Sequence, residues 1–381
     1  MYGVGIVAFI LFLSTLIGVP VLPQLSKDLG AGAVGIPIVV SAALATVVIA
    51  QFFTGILADR YSKRRLILIG ALVGSVSSLF CVIATHWIQL LVLRIIGGIA
   101  DAIAMPVLLV ITSSLDRDQP GKFFGILRSS QGLSFALAPA LGSVFSLISL
   151  RTPFIVDGIL SLAAGLVAMV VLKGTDKVKS EHDLRLLPGL RSVFSNKQMY
   201  LYFVMGISGL FAFGIFFSFV PTKSQIIGLD PWQIGLILSI GAFIFSFVSY
   251  VIGSLSDRFG RRLFVILSQV VIVAAGIGLI FSSGFTTLLL FYGLFCVGET
   301  ITYLLSFVYA SDTFDKKYIG TSMAAFDSIM DLSLFIGPLL AISVYRYTSE
   351  IAPIFIIAVI PAVFAFFAMA AWLPRKVKHT R

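Results

Sequence analysis

Gly55-Ile-Leu-Ala-Asp59-Arg60-Tyr-Ser-Lys63-Arg64-Arg65 returns 198 positions further on as Gly253-Ser-Leu-Ser-Asp257-Arg258-Phe-Gly260-Arg261-Arg262, with apolar runs on either side in both places. A repeat of this length in the same setting marks an internal duplication. The same offset carries Asp101, an acid inside an apolar run, onto Glu299, an acid inside another. That coincidence points to a transporter drawing one carboxylate from each half.

With 59% hydrophobic residues and 12% charged, and a mean hydropathy of +1.07, the chain has too few polar groups to cover a water-soluble globule. As helices, runs of about 20 residues cross a hydrocarbon core roughly 30 Å thick. Twelve such runs are drawn near 3–25, 36–58, 66–85, 88–112, 122–147, 153–172, 200–221, 233–255, 263–282, 286–310, 319–344 and 351–373, and are called spans 1 to 12. The expected fold is an all-α membrane protein with twelve transmembrane helices in two pseudo-symmetric six-helix bundles. The expected division is 1–172, a cytoplasmic linker 173–199, 200–374 and a tail 375–381.

Of the 27 Lys and Arg, 21 fall in alternate loops that share one side. Lys27, Arg151, Lys223 and Arg346 fall on the other, and Arg94 and Arg128 within spans. The positive-inside rule then puts both termini in the cytoplasm of a cell-membrane protein. The net charge of +10 is a topology signal and calls for no nucleic acid. The first run lacks a basic n-region and a small-residue cleavage site, so it is expected to be retained, and no appended soluble domain is expected. Cys81 and Cys296 lie in spans of opposite halves, where a disulfide framework has no rationale. His86, His182 and His379 fall in loops or the tail, so no metal site, cofactor or enzyme chemistry is expected. In the linker, Leu184, Leu187, Leu190, Val193 and Phe194 with Arg185 and Arg191 suit either a short helix on the inner membrane surface or a solvated basic segment.

Each of Asp59 and Asp257 ends one span where the next begins, so its carboxylate can face the positive end of a helix dipole. The basic residues beside them also serve topology alone. With two repeats of six spans, a central linker and the duplicated G-x-L-x-D-R-x-x-[KR]-R loop, essentially the whole chain resembles the major facilitator superfamily. The resemblance implies an alternating-access carrier, a monomer by default, with a cavity between the halves lined mainly by spans 1, 4, 7 and 10 and rigid-body rocking about a midplane site. It also implies a cytoplasmic gate in which Asp59 and Lys63 act with Asp116 or Asp118, alongside Gly55, Arg60, Gly253, Asp257, Arg258 and Arg261. Ser62 stands where the family has glycine and is expected to tighten its turn less well.

Span 4 reads Arg94-Ile-Ile-Gly97-Gly98-Ile-Ala-Asp101. Seven residues are nearly two turns, so Arg94 and Asp101 share a face about 10 Å apart, with two glycines leaving that face bare. The stretch resembles the family's R-x-x-Q-G motif with Gly97 in place of glutamine. A charge at mid-span costs roughly 2.5 to 3.5 kcal/mol on insertion scales, so Asp101 is expected to face a polar cavity or a partner. Span 10 offers Glu299, flanked by Tyr292, Thr302, Tyr303 and Ser306, and span 11 offers Asp327 and Asp331 one turn apart. These four acids outnumber Arg94 and Arg128. Carboxyls that are desolvated or crowded by like charge favour their neutral form, so a cation entering beside them would displace protons. Each elementary charge moved down 100 mV supplies roughly 2.3 kcal/mol. Glu299 and Asp101 are therefore the leading coupling residues, Asp331 and Asp327 follow, and Arg94 modulates them.

Span 5 keeps the spacing of the family's antiporter motif with Gly125, Ser134, Ala138, Pro139 and Gly142, and Gly337-Pro338 occupies a comparable place in span 11. Small side chains there permit close helix packing. Phe211, Phe213, Phe216, Phe217, Phe243, Phe245 and Phe247 suggest an apolar wall suited to amphipathic cations. A proton-coupled exporter of small lipophilic or cationic compounds is the leading expectation. An uptake permease or symporter for a metabolite, or a lipid flippase, fits the same fold. A non-transporting membrane sensor gains little from paired midplane acids.

Overall fold

Every one of the twelve apolar runs is helical in the computed structural model, which describes residues 2–31, 35–115, 120–173, 193–194, 196–229, 231–314 and 319–372. Among the described residues all regular structure is helix. Span 1 differs from the single rod expected: Tyr2–Ile17 gives way to a 3-10 turn, Val19–Val21, and a short helix, Leu22–Asp28. Pro20 supplies no N–H to the carbonyl four residues back and its ring crowds that carbonyl, which weakens the α-helix just after Gly18, where the break falls. Spans 2 to 6 are Gly35–Arg60, Lys63–Ile83, Trp87–Leu115, Pro120–Ser146 and Thr152–Val171. Spans 7 to 12 are Lys197–Ile226, Pro231–Phe259, Arg261–Phe281, Phe285–Thr313, Ile319–Thr348 and Ala352–Trp372. Among the described residues ten helical stretches, with the broken span 1 taken as one, are long and apolar enough to cross a bilayer. Span 5 falls short because Arg128, Ser129, Ser130, Gln131 and Ser134 interrupt its apolar run. The linker helix expected from Leu184 onward lies outside the described residues, apart from Val193 and Phe194, which are helical.

The chain divides into two compact units, residues 1–115, 130–192 and 315–328, and residues 116–129, 193–314 and 329–381. Within the first, span 4 packs on spans 1, 2 and 3, and span 6 on spans 1 and 3. Within the second, span 10 packs on spans 7, 8 and 9, and span 12 on spans 7 and 9. The neighbour pattern is the same six spans later, as a duplicated bundle requires. Spans 5 and 11 approach their neighbours through small residues. A Cβ on Gly142 would lie 2.0 Å from the Ile17 carbonyl oxygen, and one on Gly337 2.6 Å from that of Phe211. Pro338 Cδ is 3.0 Å from where a Gly214 side chain would start.

Two of the cations on the sparsely charged side cap helix ends. Arg151 donates to the Val82 and Ala84 carbonyls, the latter at 3.1 Å, at the end of span 3. Lys223 donates to the Leu279 and Ile280 carbonyls, the latter at 2.7 Å, at the end of span 9. Each satisfies carbonyls that a helix terminus leaves without an internal partner, and complements the negative end of its dipole. Both are thereby committed to structure.

The contact at Gly142 yields a prediction. Gly142→Ala must push the Ile17 turn aside, and overpacking of this kind costs about 1–3 kcal/mol. A drop in the melting midpoint of the detergent-purified protein checks it, with an unchanged midpoint against it.

Candidate functional site

Span 4 is held against span 2 by Gly98, where a Cβ would sit 2.5 Å from the Ala43 carbonyl oxygen. The face expected to be bare is therefore filled by helix packing, and the glycine is needed for close approach. That approach fixes the two charged residues on either side. Asp101 is half-buried, and its Oδ1 accepts from Thr15 Oγ1 of span 1 at 3.0 Å. Arg94 is 8% exposed, with its Nε buried and without a hydrogen-bond partner among the described residues.

A third charged residue joins them that was not singled out from sequence. Asp157 of span 6 is 5% exposed and accepts from Ser78 Oγ of span 3 at 2.6 Å. Arg94 is the charged neighbour that Asp101 and Asp157 both feel. One guanidinium set against two carboxyls leaves a negative charge uncompensated unless one carboxyl carries a proton. Asp157 sits only a turn and a half into its helix. The available signal was an acid inside an otherwise apolar stretch from Pro153 to Leu162.

In the second unit Glu299 is 3% exposed. The backbone of span 7 borders it, since a Cβ on Gly209 would come 3.7 Å from Glu299 Cγ and 3.5 Å from Thr302 Cγ2. One turn along, Thr302 enters a buried hydrogen-bond set: Ser208 donates to Gln269 Oε1 at 3.0 Å, Gln269 Nε2 donates to Thr302 at 3.0 Å, and Ser268 lies 2.7 Å from Thr302. Tyr303, next to Thr302, and Phe307, one turn further on, receive Arg128 of span 5 between them. Its guanidinium carbon is 4.4 and 4.3 Å from the two ring centroids, and the residue is 4% exposed. Desolvated cation–aromatic contacts are worth about 2 kcal/mol each. Two of them, about 4 kcal/mol together, are enough to offset the roughly 2.5–3.5 kcal/mol that an arginine costs at mid-span.

The second copy of the repeated loop is a hydrogen-bonded network. Asp257 accepts from the backbone N–H groups of Gly121 and Lys122, at 3.1 and 2.9 Å, at the start of the span 5 helix. The dipole it faces is that of span 5, and not that of span 9 which follows in sequence, because Gly260 at φ 86° turns the chain between them. Gly121 and Gly253 permit this: a Cβ on Gly253 would lie 2.4 Å from the Gly121 carbonyl oxygen and 2.8 Å from Gly125 Cα. Arg261 bonds Asp257 at 3.2 Å and also pairs with Asp312 of span 10, while Arg258 is exposed. In the first copy Ser62 has φ −56°, an ordinary value, and its Oγ accepts from Arg65 N at 3.4 Å as the N-cap of span 3. The expectation of a less favourable turn is corrected: that conformation needs no glycine, and a hydroxyl caps where glycine could not. Lys63 is 4% exposed. Asp116 and Asp118, and Gly55, Asp59 and Arg60 beyond their helical backbone, lie outside the described residues.

Asp327 and Asp331 are both half-buried, the first in the first unit and the second in the second. The phenylalanines do not form one wall. Phe211 and Phe216 pack in the core of the second unit and Phe245 lies 6.3 Å from Tyr303, whereas Phe217, Phe243 and Phe247 are exposed. Successive helix positions point in different directions, so clustering in sequence does not become clustering in space.

A sequence profile described as Major Facilitator Superfamily matches residues 4–338 and again 224–381. The quinolone resistance protein NorA of Staphylococcus aureus is 26% identical over 358 residues, covering 91% of this chain and 90% of that protein. An uncharacterised MFS-type transporter of Methanocaldococcus jannaschii is 22% identical, covering 88% and 86%. Among solved structures, the human organic anion transporter MFSD10 (TETRAN) superposes with a TM-score of 0.83 at 17% identity, covering 96% of this chain and 99% of that one. The proton:xylose symporter XylE superposes at 0.75 and 13% identity, covering 98% and 95%. At such identities the two structures speak for the fold alone.

The Asp257 network yields a prediction. Asp257→Ala removes a charged acceptor from two helix N-terminal N–H groups and from Arg261, and hydrogen bonds to charged groups are worth about 1.5–3 kcal/mol each. The melting midpoint of the purified protein should fall accordingly. Arg258→Ala, at an exposed position, should change stability by no more than about 0.5 kcal/mol. Equal effects of the two substitutions would contradict the assignment.

Proposed function

The chain belongs to the Major Facilitator Superfamily and is a multi-pass membrane transporter, not an enzyme, and on that premise we propose that it exports small lipophilic or cationic compounds in exchange for protons. The observation that carries this reading is Glu299, a carboxyl buried in the middle of a membrane helix with aromatic rings on the next turns of the same face. A carboxyl there binds either a proton or an organic cation, and cannot serve both together. The similarity to a quinolone resistance protein along nine-tenths of the chain favours outward movement of drug-like compounds. Asp101, with Arg94 and Asp157 beside it, holds the second exchangeable proton, and Asp331 and Asp327 serve as further acids on span 11.

Both termini face the cytoplasm of the cell membrane in this reading, as the charge asymmetry of the loops favours. The second copy of the repeated loop acts as a latch: Asp257 and Arg261 tie spans 5, 8, 9 and 10 at the heavily charged side. Gly55, Asp59, Arg60 and Lys63 form its counterpart with Asp116 or Asp118. Carrier motion requires this network to break and reform, so its strength sets how long the charged side stays closed. A single polypeptide supplies both repeats, and the working unit is a monomer.

Purified protein in sealed vesicles with an imposed pH gradient tests the proposal, with tetraphenylphosphonium as the probe and internal pH followed throughout. Probe-dependent proton movement is expected, reduced at least tenfold by Glu299→Gln and substantially by Asp101→Asn, which keeps the Thr15 acceptor. Coupling untouched by both substitutions would contradict the site, and probe movement indifferent to the gradient would contradict antiport.

A further inference from the structure

Glu299, Tyr303 and Phe307 follow one another at intervals of four along span 10, so they share one helix face over little more than two turns. The two rings stand 5.1 Å apart at 77°, which makes a corner and not a slot. Arg128 fills that corner, over both rings at once, and Phe124, one turn before it on span 5, closes one edge with its ring 6.4 Å from that of Phe307. Phe307 and Phe124 are fully buried and Tyr303 is 8% exposed, so the guanidinium is screened by side chains and not by bulk water. Arg128 is also the charged neighbour that Glu299 feels.

Two aromatic faces with a carboxyl at one end are what an organic monocation requires for recognition in a place poor in water. Here the two rings are occupied by a cation that the chain carries itself, on a side chain with a flexible stem. We propose that Arg128 is a tethered counter-cation for Glu299, and that the Tyr303–Phe307 corner is an organic-cation seat that opens to a soluble cation when the guanidinium swings out. The proposal rests on the reading of Glu299 as the coupling carboxyl, and adds that the chain supplies an internal competitor for the place its substrate takes. Such a competitor keeps the carboxyl compensated whenever neither proton nor substrate is present.

The test uses the full-length protein in detergent, with methylguanidinium chloride as the probe and methylurea as its uncharged match. In Arg128→Ala the seat is empty, and saturating methylguanidinium should raise the melting midpoint by about 3 °C or more, while methylurea should not. Wild type, whose seat is filled, should respond to neither. Combining Arg128→Ala with Tyr303→Leu and Phe307→Leu, or with Glu299→Gln, should abolish the response. An equal response of wild type and Arg128→Ala, or one that survives loss of both rings, would overturn the proposal. Should Arg128→Ala not be recovered folded, Arg128→Gln carries the same comparison. Because this readout is binding alone, a seat that behaves as expected in a protein that moves no protons would refute the coupling role of Glu299 while leaving the seat standing.

Discussion

A charge or an unsatisfied polar group cannot be left to hydrocarbon, and the interior of this protein is arranged around that constraint. Arg128 is taken up by two rings, Asp157 by Ser78 and Asp101 by Thr15. At the sparsely charged ends, Arg151 and Lys223 satisfy carbonyls that would otherwise face the bilayer boundary. What the constraint leaves over is informative. Arg94 answers to two carboxyls, and Glu299 is served through space by an arginine committed to aromatic rings. These imbalances are the basis on which protons and cations are proposed to exchange here.

The duplication makes the asymmetries easier to read. Helix order and packing repeat, but the chemistry of the two repeats has separated. Ser78 corresponds by the 198-residue offset to Gly276 and Arg94 to Tyr292, while the stretch of span 12 that matches Asp157, from Phe355 to Ile357, is apolar. Where the first repeat has a charged cluster, the second has Phe216, Phe295 and Phe355 packed edge to face, with Tyr292 beside them. The second repeat keeps an acid, Glu299, at the position equivalent to Asp101, beside span 7. The bundles are alike because packing requires it, while the surroundings of the two acids differ.

The fold was legible because its signal is additive. Twelve apolar runs, a strong loop-charge bias and a repeated loop each point the same way, and all twelve spans are helical with only the Pro20 break unforeseen. Asp101 and Glu299 stood out for the same reason, as single charges against apolar sequence. What escaped depends on which helices touch. That Asp257 reaches the start of span 5 follows from the turn at Gly260 and from glycines on two helices, and no spacing in the sequence encodes it. Arg128 was recognised as an intramembrane charge, but its partners lie some 175 to 179 positions away on span 10. The supposed phenylalanine wall failed because a helix distributes neighbouring residues around its circumference.

Carrier action at these acids requires that water reach them, first from one face of the membrane and then from the other. The most direct measurement replaces Cys81 and Cys296, both buried and free, by serine, introduces cysteine singly at Asp101 and at Glu299, and applies a membrane-impermeant thiol reagent to either side of sealed vesicles. Labelling at each position from both sides, with the favoured side changing when the probe cation or the pH gradient is imposed, is the predicted result. Cysteines at both positions that stay unmodified from either side under every condition would contradict the account.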